Sequence, residues 1–496
     1  MALYKIFPAI GIARIGASED FFVGPEIPGQ GPIEAETGAP VTRFKASNPE
    51  KDKIRKQAAR FHLFQSAGGL DWVPANLPEG AVVEWTVTLE NKKAAVRRKG
   101  APPKSPERPQ IDPPLEPLRI RAPETSISGK NAASTLMIGT IKNAAGDPVF
   151  SKDVVLGQLR TDAQGRLLVL GGNGEVGTTG PALTGSFYRN RGWYDDVSDG
   201  PVTARITLPG TAPIDAEGGA WVVITPPDFA PGIGGVVTLY DVIRQVGYDS
   251  LGMPKPTSSI PYLLEIAPLI QRAHRLRFVH DNANWRDAAF NSNNLASGLP
   301  EHRQARRDVG ERIRDTESIL DGYIPSNPPG PPFKLRQWQI DMLVAWVDWN
   351  PGSIETTTQP ITTITPEGLT RAALEGAVGQ GFCPGIEAGI IVTDPTLFST
   401  PFDFRIDQSK AAAGELTALM AQPWPSDFYQ CNSEWWPSQR PDIAPQSADF
   451  VNDQESWARG AESEALMAEN FQMLGFIVQQ GENEVFIEAE RNPSLA

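Results

Sequence analysis

Cysteine is nearly absent from this chain of 496 residues, which has two, Cys383 and Cys431. Two widely spaced thiols cannot build a disulfide framework. Histidine is almost as scarce, with four (His62, His274, His280 and His302), and none stands at zinc-ligand spacing with either cysteine. Positive charge is in deficit, 45 Lys and Arg against 59 Asp and Glu, for a net charge of −14. That balance argues against a nucleic-acid backbone or an anionic membrane surface as the main partner. No run approaches the roughly 18 apolar residues that cross a bilayer. Met1 to Arg14 lacks a basic stretch leading into a long apolar one, so no signal peptide is expected. A cytoplasmic location is the expectation, with non-classical export as the alternative. A repeat of fixed period and a G-x-S-x-G hydrolase elbow are also missing.

Glycine and proline are plentiful, at 46 each, which favours many loops and short strands over long helical bundles. Val82 to Leu89 alternates at period two and is dense in β-branched and aromatic residues. Val154 to Thr161 and Arg166 to Leu170 flank Asp162-Ala163-Gln164-Gly165, a hairpin signal. Ala204 to Leu208 and Ala220 to Ile224 continue the pattern. Helical periodicity takes over later: Tyr262 to Arg275, a stripe of Leu335, Trp338, Met342, Leu343, Trp346 and Val347, and a segment about 462–473 before Gly475 and a closing strand 485–487. Thr365 and Pro366 read as the N-cap and first position of a helix running through Ala377 to near Gly379. The expected fold class is α+β, with a β-rich, antiparallel, sandwich-like N-terminal half and a more helical C-terminal half. The expected domains are 1–255 and 256–496, with an exposed basic, proline-dense loop at about 97–123.

Two motifs invite chemistry and are better read as structure. Gly172-Asn173-Gly174-Glu175-Val176-Gly177 matches G-x-G-x-x-G, but Thr178-Thr179-Gly180-Pro181 opens no helix on which a pyrophosphate could sit. It reads as a glycine-rich loop. Asp195-Asp196-Val197-Ser198-Asp199-Gly200 lacks EF-hand spacing, since Ile206 stands where the glutamate belongs. It reads as a turn with local Asx hydrogen bonds.

The richest segment is Pro423 to Pro437. It holds Asp427 and Cys431 four positions apart, with Trp424, Trp435 and Trp436 among the twelve tryptophans of the chain. A thiol, a carboxylate and electron-rich indoles in one loop are the raw materials of a protein-derived quinone.

Several segments in order resemble one family. They are Tyr4 to Gly16, Phe21 to Glu26, Asn91 to Ala95, Leu159 to Asp162, Trp193 to Val202, Leu369 to Glu375, Phe382 to Glu387, Asp427 to Cys431 and Trp435 to Pro441. The chain resembles the LodA-like lysine ε-oxidases and glycine oxidases, whose cofactor is cysteine tryptophylquinone. The resemblance implies that Cys431 supplies the thioether sulfur and that Asp427 is the carboxylate base of cofactor biogenesis. Asp427 is also the nearest candidate base for the amine. The family's modified tryptophan lies in a W-x-x-L-G-F segment; Phe471-Gln472-Met473-Leu474-Gly475-Phe476 places Phe471 there, and phenylalanine has no indole to oxidise. Trp457, Trp436 and Trp435 are the alternative indoles, and Cys383 is a second candidate thiol. The implied activity is oxidative deamination of a small amine or amino acid by dioxygen, giving hydrogen peroxide and ammonia. The resemblance further implies a flavoprotein maturation partner and a homo-oligomer. The alternative function is a member without the quinone, acting as a binding protein or on other chemistry.

Overall fold

The computed structural model describes residues 2–47, 53–69, 71–95, 116–142, 150–178, 193–256, 259–280, 291–322, 335–379, 388–389, 391–420, 423–430, 438–481 and 484–495. At 314–322, Ser426, Asp427 and Gln430 it describes the backbone and not the side chain.

The first half builds one large sheet, of 15 strands among the described residues. Its main path runs Thr135–Lys142, Ser151–Thr161, Leu167–Gly171, Lys56–Ser66, Ile10–Arg14, Ala220–Thr225, Ser198–Thr207, Val82–Val87, Thr125–Ser128. The pairs are antiparallel except where Ala220–Thr225 runs beside Ile10–Arg14 and Phe21–Val23 beside Lys56–Ser66. All six residues of Ala220–Thr225 are buried, as a strand covered on both faces requires. The expected hairpin forms, with Leu159 opposite Val169 across the Asp162 turn. Gly172 to Glu175 is a loop that enters the short strand Val176–Thr178, in line with the absence of a dinucleotide helix.

Helices follow from Leu239 onward. Leu239–Ser250 starts with a capping box, in which Thr238 and Asp241 satisfy each other's backbone amides. Pro366–Glu375 has Thr365 as its N-cap, accepting from the Gly368 amide at 3.0 Å. It ends at Glu375, short of Ala377, because Arg14 from the sheet takes the Gly376 carbonyl at 2.8 Å. Tyr262–Ile266 is a π-turn leading into the α-helix Ala267–Arg275. Gln337–Asp348 carries the expected stripe, with Met342, Leu343 and Trp346 buried. The last helix spans Glu464–Asn470 and tightens into a 3₁₀ turn at Phe471–Met473 before the hairpin Phe476–Gln479 and Phe486–Ala489.

Apolar residues of both halves form one continuous core, from Ile12, Trp85 and Trp221 to Trp346, Trp424 and Phe471. Of the expected exposed loop, residues 97–115 lie outside the described residues. The end of that segment is packed rather than exposed: Ile120–Arg121 pairs with Glu90–Asn91, and Leu118, Ile120 and Ala122 are buried.

One close approach sets the register of the central strands. A Cβ at Gly200 would meet the Thr88 carbonyl oxygen at 1.9 Å. Gly200→Ala should therefore lower stability by about 3 kcal/mol, the upper end of overpacking costs. Urea unfolding checks this; an unchanged midpoint contradicts it.

Candidate active site

The segment around Asp427 is not the loop expected from its sequence. Trp424–Gln430 is a helix, here called the site helix. Pro425 is tolerated because a first-turn amide has no partner within the helix. Trp424 and Phe428, four residues apart, share one face, with ring centroids 4.9 Å apart.

Two rings from the end of the chain pack on that face. Phe471 meets Trp424 edge-on at 4.7 Å, and Trp457 lies 6.3 Å from Phe428. Phe229 fills the space behind, 4.9 Å from Trp457 and 4.9 Å from Phe476. The Trp457 indole donates to the Gly475 carbonyl at 2.9 Å, and the Arg440 guanidinium lies 5.3 Å over its ring. Arg440 also donates to the Phe428 carbonyl at 2.5 Å, a cation at the helix's C-terminal end. Beyond it, Asp442 sits 3.5 Å from Arg440 and accepts the His280 imidazole at 2.5 Å. Burial raises the Asp442 carboxyl above its ordinary value, and His280 opposes that rise.

Of the residues expected at the site, Phe471 and Trp457 converge on the helix that bears Asp427. Cys431 is the next residue after that helix and, with Cys383, Trp435 and Trp436, lies outside the described residues. A cavity of about 450 Å³ opens elsewhere, lined by Leu263, Ile270, His274, Arg371 and Glu375 among others, with no contribution from the site helix.

The acidic segment Asp195 to Gly200 corrects the turn expected there. It joins strands Trp193–Asp195 and Ser198–Thr207, and its three aspartates are fully buried with long-range partners. Asp195 accepts the Trp424 backbone amide at 3.0 Å, an orphan donor at the start of the site helix. The same carboxylate pairs with the buried Lys93 at 2.5 Å and takes Asn91 Nδ2 at 3.1 Å. Asp199 accepts the Thr417 amide at 2.8 Å, its hydroxyl at 2.6 Å, the Leu416 amide at 3.2 Å and Trp221 Nε1 at 2.9 Å. Its burial still pushes its carboxyl up to about 6.

Asp196 accepts the Gly174 and Glu175 amides through Oδ2, at 2.7 and 3.0 Å. Burial pushes it up to about 7, those two amides and its own backbone amide opposing and the Asp195 charge adding. The loop it holds touches the site. Gly174 has φ +76, and a Cβ there would stand 3.0 Å from the Phe471 ring and 2.8 Å from Gln472. Sequence reading missed these carboxylates, although acidic residues set directly between strand residues were a signal for buried partners.

Two outcomes follow. Asp195→Ala strips a buried ammonium of its carboxylate and leaves a helix amide unpaired, which should cost about 3–5 kcal/mol; a urea midpoint near wild type contradicts it. Asp196 has a folded-state value above its unfolded one, so its contribution to stability is full at low pH and is lost as pH rises toward about 7. The stability difference, wild type minus Asp196→Asn, should therefore fall between about pH 4 and about pH 7. Unfolding at stepped pH checks it; a flat or rising difference contradicts it.

The L-lysine ε-oxidase N-terminal family model matches residues 7–224, and its C-terminal domain model matches 326–457. L-lysine 6-oxidase of Marinomonas mediterranea is 26% identical over 529 aligned residues, covering 87% of this chain and 71% of that protein. The crystal structure of the L-Lys ε-oxidase from Marinomonas mediterranea superposes with a TM-score of 0.77 at 22% identity, covering 99% of this chain and 95% of that one. Its Schiff base intermediate with L-Lys gives the same TM-score at 21% identity and the same coverage. With both family models matched in order along its length, the chain belongs to the LodA-like family.

Proposed function

We propose that this chain is an oxidase of primary amines, with an amino acid as substrate class, whose redox group is assembled on the site helix. Membership of the family supports the oxidase class over a binding protein without a cofactor. The observation that carries the reading is the helix itself: it bears Asp427, runs directly into Cys431 and is faced by an indole and a phenyl ring.

The described residues offer two rings beside the site helix for a thioether-linked tryptophylquinone, and only one of them is an indole. Phe471 has no indole and packs on Trp424, at the end of the helix away from Cys431. Trp457 packs on Phe428, toward the C-terminal end of the site helix, and is the indole this proposal assigns to the cross-link. When formed, the quinone supplies an electrophilic carbonyl and a two-electron acceptor, the chemistry that deamination with dioxygen needs. Around it, Arg440 anchors the end of the helix and the rings of Phe229, Phe428 and Phe476 exclude water. The relatives are named for L-lysine, so lysine is the first amine to try. A flavoprotein partner for maturation and a homo-oligomeric assembly belong to the same proposal.

Protein produced together with the flavoprotein should gain two oxygens, lose four hydrogens and release peroxide and ammonia with a primary amine. Trp457→Phe should abolish both the added mass and the peroxide. An unmodified mass with no peroxide contradicts the oxidase. Added mass appearing only in Phe471→Trp contradicts Trp457 as the indole.

A further inference from the structure

The cavity of about 450 Å³ that the site helix does not line falls in the size range of small-molecule pockets, about 300–1,000 Å³. Its wall is largely aliphatic. Leu263 and Leu264 come from the π-turn, Ile270 from the helix that follows it, and Leu295 and Ile361 from the facing segments. Glu484, also in the lining, is 38% exposed, so the cavity is open to solvent at its acidic end.

The charged groups of the lining differ in how fully they are engaged. Arg371 is buried and its guanidinium is taken up within the wall. It donates to Glu375 at 2.8 Å, to Glu265 at 3.4 Å and to the Leu264 carbonyl at 2.6 Å. The two carboxylates are each held by one oxygen. Glu375 Oε1 takes Arg371 and lies 3.7 Å from Arg272, and Glu484 Oε1 takes Arg275 at 2.8 Å. Among the described residues no hydrogen bond reaches Oε2 of either, and the His274 ring stands 3.9 Å from that of Glu484. His274 carries no competing charge near neutrality. Burial pushes it down to about 4, with Arg277 and Arg275 adding and Glu484 opposing. Glu375 also closes the helix Pro366–Glu375, whose last turn has no basic residue, at the negative end of the helix dipole. The charge left open at the cavity is carboxylate.

An aliphatic amine in water is an ammonium, with three N–H donors on an apolar chain. The hydrophobic effect drives the chain onto an aliphatic wall, and the head meets carboxylate oxygens through charge-assisted hydrogen bonds. An acid of the same length would bring like charge to Glu375 and Glu484, and an alcohol would bring none.

We propose that this cavity binds an aliphatic primary amine, with its ammonium against the Glu375 and Glu484 carboxylates and its chain along Leu263, Ile270 and Leu295. The site goes beyond the oxidase reading, because it needs no quinone.

Isothermal titration of the whole chain, produced without the flavoprotein, tests it with n-hexylamine, n-hexanol and hexanoate as probes. Hexylamine should bind saturably and about tenfold or more tighter than either of the others, the margin of a hydrogen bond to a charged group. Glu484→Gln should weaken hexylamine by about tenfold or more. If that variant does not fold, Ala267→Trp, which fills the cavity from its wall, should abolish binding. Equal affinities for the three probes, or hexylamine binding unchanged in the variant, overturn the proposal. Peroxide from the matured enzyme, with no hexylamine bound by the unmatured chain, removes this site and leaves the oxidase reading standing. Binding without peroxide removes the oxidase reading and leaves the site.

Discussion

Three buried carboxylates on one strand junction organise this protein, and two of them tie its N-terminal sheet to the C-terminal half. Asp195, Asp196 and Asp199 reach the site helix, the glycine loop and the 416–417 turn respectively. Burying a carboxylate is expensive unless each oxygen finds donors. The cost is offset where backbone amides at helix and loop ends, themselves in need of acceptors, converge on it. The sheet thus does more than fill the N-terminal half. It supplies the fixed charges against which the C-terminal helices are set, and the site helix takes its start from one of them.

The same burial differentiates the carboxyls. Asp199 has four donors and rises only to about 6; Asp196 has fewer and rises to about 7. Desolvation dominates in both; the donors oppose it, and at Asp196 the neighbouring Asp195 charge adds to it. The gradient lies along a single strand junction.

Much of the fold was legible in the sequence. Period-two strands such as Val82–Val87, the Asp162 hairpin and the Thr365 cap form as read, because local backbone preference and burial agree there. The helix Leu239–Ser250 was missed although Thr238 and Asp241 stand at capping-box spacing. The site was legible only in part. Asp427, Cys431, Trp457 and Phe471 were picked out, but the helix at Trp424–Gln430 was read as loop, since Trp-Pro-Ser-Asp is a poor helix opening in isolation. Its stability comes from Asp195, more than two hundred positions earlier, and no local window carries that. The acidic segment looked like a turn for the same reason: Lys93, Trp424 and Thr417 are partners that only the fold supplies.

Peptide mapping of protein matured with its flavoprotein partner tests the central claim most directly. The account predicts one cross-linked species joining the peptide of Cys431 to that of Trp457, with two oxygens added on the indole. Recovery of both peptides separate and unmodified from protein that nonetheless releases peroxide would contradict it.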